Sequence, residues 1–105
     1  MQENVALTEA VFYILLSLME PMHGYGIMQN VMKLSNGRVN LAAGTLYGAI
    51  STLLEKGWIR PHPGEEGLRK KEYTLTPEGY LAIVQETKRL KELLDNAQKQ
   101  LGEQS

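Results

Sequence analysis

Residues 44–58 read "GTLYGAISTLLEKGW", and the rest of the chain is understood from this stretch outward. Leu46, Ala49, Ile50, Leu53 and Leu54 recur at i, i+3, i+4, i+7 and i+8, which is one face of an amphipathic helix. Its first turns nevertheless carry Gly44 and Gly48, each of which disfavours helix by roughly 1 kcal/mol relative to alanine. Tyr47 stands between them. The helix is expected from about Ala42 to Lys56, with Gly57 as its stop. Asn40 is the nearest good capping residue, because Ala42 has no side-chain acceptor.

Two helices are expected upstream. "LTEAVFYILLSLMEP" begins at Leu7, with Thr8 as N-cap, Glu9 in the first turn and Pro21 after the end. It is apolar nearly all round, so it needs cover on more than one side. "MHGYGIMQNVMKLSNG" gives a second helix from about His23 to Leu34, with Ile27, Val31 and Leu34 as the inner stripe and Asn36-Gly37 as the turn. Gly24-Tyr25-Gly26 opens that helix. It is not a phosphate loop, since no strand precedes it and no Lys-Ser/Thr follows.

Downstream the character changes. Trp58–His62 and Arg69–Leu75 are expected as two strands around a Pro-Gly-Glu-Glu-Gly turn. Pro61 and Pro63 restrict the first strand to an edge. Trp58 is expected to lock this hairpin to the core. "TPEGYLAIVQETKRLKELLDNAQKQL" then starts a long helix at Thr76, with Pro77 in the first helical position. Ile83, Thr87, Leu90, Leu94, Ala97 and Leu101 are spaced 4, 3, 4, 3, 4, a heptad seam. At about 1.5 Å per residue this helix extends over 30 Å, too far for the preceding body to cover, and it is expected to serve as an oligomerisation arm.

Composition narrows the function. The chain has 105 residues, 43% of them apolar, a net charge of −1 and no cysteine. One domain-sized body is expected, with no disulfide, no thiol chemistry and no cysteine-based zinc site. These features fit a reducing cytoplasm. No export signal and no membrane-length apolar run is read. Residues 33–71 hold seven bases against three acids, a basic island between acidic ends. His23 and His62 are too few for a metal site, and no acid–base constellation suggests catalysis. No cofactor and no enzymatic activity are expected.

The element order defines a mostly α (α+β) chain: a winged helix-turn-helix over residues 1–75 and a long C-terminal dimerisation helix over 76–105. In that architecture the second helix crosses the DNA backbone and the third enters the major groove. Glycine then removes bulk where helix and duplex approach closely. Thr45 and Ser51 can reach phosphates or base edges, and Arg69, Lys70 and Lys71 supply the wing's phosphate contacts.

The residues also carry a resemblance. His23-Gly24-Tyr25, Gly44-Thr45-Leu46-Tyr47, Leu54-Glu55-Lys56-Gly57, and Tyr73-Thr74-Leu75-Thr76 with Gly79 together resemble the PadR family of bacterial transcriptional regulators over about Leu7 to Leu94. The single C-terminal helix is similar to the smaller PadR subgroup, whose members are homodimers. The resemblance implies a repressor that binds a double-stranded operator through Tyr25, Thr45, Tyr47 and the Arg69–Lys71 run, and the start of the third helix adds Ala43, Gly44 and Ser51 to the expected contact set. The heptad seam and the all-round apolar first helix lead to the expectation that the last helix packs with the partner's first helix, with Phe12, Ile83, Leu90, Leu94 and Ala97 as contact residues. A small-molecule effector of unstated chemistry is admitted as a further partner. Many family members carry Ser or Asn at the position of Ala42 and Pro at that of Gly48. Some small members stack planar drugs on a tryptophan of the last helix, which here has none. A winged-helix module that binds protein rather than DNA is the alternative.

Overall fold

A computed structural model of the chain describes residues 6–63 and 71–102. The described elements are α1 (Glu9–Ser17), β1 (Met22–His23), α2 (Gly24–Leu34), α3 (Ala43–Lys56), β2 (Ile59–His62), β3 (Glu72–Leu75) and α4 (Pro77–Leu101). The strands form one antiparallel sheet in the order β1-β3-β2.

The helix boundaries follow from local chemistry. Thr8 caps α1, its hydroxyl accepting from the Val11 amide at 3.1 Å. Thr76 caps α4 by accepting from the Gly79 amide at 3.1 Å, and Pro77 follows as expected. The α3 N-cap is Ala42, which makes no side-chain capping bond. Gly57 ends α3 in the left-handed conformation, φ 77°, where glycine avoids the Cβ clash. Asn36 and Gly37, φ 55° and 81°, make the turn after α2.

Ile14, Leu15 and Leu18 from the first helical segment meet Ile27 and Val31 of α2 and Leu46, Ile50 and Leu53 of α3. Ile59, Tyr73 and Ile83 close this core from the sheet and α4. The Leu75 amide ties the sheet to the end of the first helical segment by donating to the Leu18 carbonyl, and the Thr76 amide extends the β2–β3 ladder by donating to that of Trp58. Trp58 packs against the core as expected, and Lys56 Nζ lies 5.1 Å from its ring centroid, within cation–π range.

Three expectations change, and one feature is new. Leu34 is 43% exposed rather than part of the inner stripe, because α2 ends there and the chain turns away through Ser35, which is the buried residue. Met22 and His23 form a strand before α2 begins. A two-residue strand is too short to show alternation in a sequence. The hairpin strands are shorter than expected, Ile59–His62 and Glu72–Leu75, and Arg69 and Lys70 lie outside the described residues. Finally, Glu86 of α4 is buried at 4% exposure. Its carboxylate accepts from Arg89 Nε at 2.8 Å, Arg89 Nη2 at 2.6 Å and the Leu7 amide at 3.2 Å. The bond from the Leu7 amide ties the N-terminal segment to α4, and Arg89 holds the accepting carboxylate in place.

Candidate nucleic-acid interface

α3 presents two unlike faces. Leu46, Ile50 and Leu53 point into the core, while Ala43, Gly44, Thr45, Tyr47, Gly48 and Ser51 are exposed. A Cβ added to Gly44 or Gly48 would meet nothing within 4 Å. Close packing against α2 therefore does not explain either glycine. The outer surface of α3's first turns is simply low, and the amides at its start have no side-chain cap.

Tyr47 stands on this face, 48% exposed, with its hydroxyl turned back onto the start of α2. A Cβ at Gly24 would fall 2.1 Å from the Tyr47 oxygen. Gly24 is thus bare because the Tyr47 phenol takes the space its side chain would occupy. Burial first, and then the neighbouring Tyr47 phenol, push the Tyr73 hydroxyl above its ordinary range. The phenol thus joins the exposed face of α3 to the start of α2, and α3 runs into hairpin strand β2 through Gly57 and Trp58.

Tyr25 is the second residue of α2 and is 61% exposed. Its hydroxyl accepts from Gln29 Nε2 at 3.1 Å. Lys71 leads into β3 and is exposed. Arg60, on edge strand β2, is also exposed and stands opposite Thr74. Sequence reading missed Arg60 as a surface cation of the hairpin. Its alternation with buried Ile59 is the signal that could have found it. Among the described bases, Arg38 is bound to Glu9 and Arg89 to Glu86.

The expected dimer residues divide. Ile83 is buried in the core of its own chain and Phe12 is half-buried against it. Leu90, Leu94 and Ala97 are exposed, as are Leu93 and Leu101. The single heptad pattern thus serves two ends: its first position anchors α4 to the body and its later positions stand free of it. His23 and His62 flank Glu72 in one row across the sheet. No group of three His, Cys, Asp or Glu among the described residues is placed to hold a metal ion.

Three helices, a hairpin with a short third strand and a long terminal helix define a winged helix-turn-helix protein. The family model described as the transcriptional regulator PadR-like family matches residues 12–85, and the chain belongs to that family. Solved structures agree. A transcriptional regulator from Clostridium thermocellum is 25% identical, with 87% of each chain covered and a TM-score of 0.70. A PadR family transcriptional regulator from Eggerthella lenta is 25% identical, covering 87% of this chain and 80% of its own, TM-score 0.69. RosR of H. salinarum is 28% identical, covering 90% and 80%, TM-score 0.66. The search of curated proteins finds no match. The protein is a transcriptional regulator, and its family is one of regulators rather than catalysts. No helix among the described residues is long and apolar enough to cross a membrane.

Proposed function

We propose that the chain is a cytoplasmic repressor that binds a pseudo-palindromic DNA operator as a homodimer. The observation that carries this reading is the bare outer face of α3. Its glycines have open space above them, and this face meets the start of α2 through Tyr47. A low helix surface with polar Thr45 and Ser51 suits entry into a major groove, where side chains read base edges. Uncapped helix amides and phenolic hydroxyls suit phosphate oxygens. Tyr25, Ala43, Gly44, Thr45, Tyr47, Ser51 and Lys71, with Arg69 and Lys70 beyond the described residues, make up the DNA contact set.

Residues 1–75 act as the DNA-binding domain and 76–105 as the dimerisation helix. The exposed apolar positions Leu90, Leu94 and Ala97 are the part of the heptad seam left for a partner, with Phe12 of the opposing first helix. The two recognition helices stand about 34 Å apart, one duplex turn. Each subunit covers roughly 600–1,000 Å² against DNA.

The test is selection of duplexes from a random-sequence library by the purified protein, followed by fluorescence anisotropy across a salt series. A palindromic consensus should emerge. Affinity should fall steeply with salt, and Lys70→Ala with Lys71→Ala should flatten the log–log slope by about 0.9 per lost phosphate contact. If no duplex is enriched, the DNA reading falls and a protein-binding winged helix takes its place.

A further inference from the structure

Gln29 has no place in the contact set above, yet it makes the hydrogen bond that sets the chemistry of Tyr25. The two residues are one helical turn apart on α2, and both are exposed. Residues at i and i+4 are neighbours on a helix surface. Gln29 Nε2 donates to the Tyr25 oxygen at 3.1 Å. A phenol has one proton and two acceptor lone pairs. With a lone pair occupied by the amide, the proton must look elsewhere for its acceptor, and Tyr25 is 61% exposed.

We propose that Gln29 is a positioning residue for DNA: it holds the Tyr25 ring and orients its hydroxyl proton outward, toward a phosphate oxygen of the duplex. The inference rests on the DNA reading above. Tyr25 follows Gly24, on which the Tyr47 hydroxyl of α3 is seated, so both phenols belong to the N-terminal end of α2. An anionic acceptor makes this a charge-assisted bond. The amide strengthens it, because a hydroxyl that accepts one hydrogen bond becomes a better donor of another. The free amide contributes no charge, so its effect is on geometry and donor strength rather than counterion release.

A double-mutant cycle tests this on the full chain. Gln29→Met retains length and helix propensity and removes the donor; Tyr25→Phe removes the hydroxyl. Dissociation constants are measured by anisotropy on a duplex selected by the wild-type protein, over a range of salt. Each single substitution should weaken binding about three- to tenfold, the range of one hydrogen bond. The double variant should be no weaker than Tyr25→Phe alone. The salt slope and the thermal midpoint should match wild type. Wild-type affinity for Gln29→Met, or a Gln29→Met loss that persists undiminished beside Tyr25→Phe, overturns the proposal and leaves DNA binding intact. So does a fall in thermal midpoint large enough to account for the lost affinity. Failure of the wild-type protein to enrich any duplex overturns both readings.

Discussion

Glycines that resemble one another in the sequence occupy opposite physical situations. At Gly79 an added Cβ would lie 2.0 Å from the Trp58 carbonyl oxygen, a backbone atom pinned by its bond from the Thr76 amide. Gly79→Ala should therefore destabilise the fold by about 2–3 kcal/mol or more, visible in urea unfolding. At Gly24 the obstacle is the end of the Tyr47 side chain, which is half-exposed and free to swing away. Gly24→Ala should cost under about 1 kcal/mol in the same assay, while displacing Tyr47 and weakening DNA binding. Gly48 has open space and lies inside a helix, so Gly48→Ala should stabilise the protein by about 0.5–1 kcal/mol. A thermal midpoint raised by several degrees together with weakened operator binding would show that the bare surface serves the duplex and not the fold. An unchanged affinity would leave the glycine without that role.

Among the elements, one ionised carboxylate supplies the polar link between α4 and the N-terminal segment, beside the apolar packing around Ile83. The Arg89 guanidinium, aided by the Leu7 amide, holds the Glu86 carboxyl below its usual 4.5 in spite of burial. A carboxyl depressed on folding contributes stability above its unfolded pKa and loses that contribution as pH falls through the folded value. Stability should therefore decline from about pH 4.5 downward, and Glu86→Ala should remove that part of the decline. At neutral pH the substitution should cost about 1–3 kcal/mol, since it strands the Leu7 amide. Chemical denaturation followed by circular dichroism across pH reads both effects. Nothing in the sequence marked this pair. Glu86 and Arg89 look like any surface i, i+3 partners, and only the return of Leu7, far away in the chain, makes the site buried. What the sequence did disclose was local: Thr8 and Thr76 as caps, Gly57 as the stop of α3, and Pro61 on an edge strand. Tyr47 was half legible. Its spacing put it on α3's outer side, but its seat on Gly24 depends on how two helices cross.

For the whole molecule, α4 runs beyond the body that anchors it, with every residue from Leu90 to Leu101 exposed. Leu90→Glu with Leu94→Glu places charge on the free part of the seam without touching Ile83 or the core. Analytical ultracentrifugation should then show a folded monomer, with operator affinity reduced at least tenfold. A double variant that still sediments as a dimer would move the interface elsewhere.

The sheet's outer rims bear on how such molecules sit side by side. β1 has only two residues, and β2 carries Pro61 in the middle of its four, where a ladder proton is missing. Neither rim offers a long row of donors and acceptors for another strand to zip onto. Copies of this chain crowded together would thus keep their hairpins separate, and local concentration alone would not turn neighbours into aggregates.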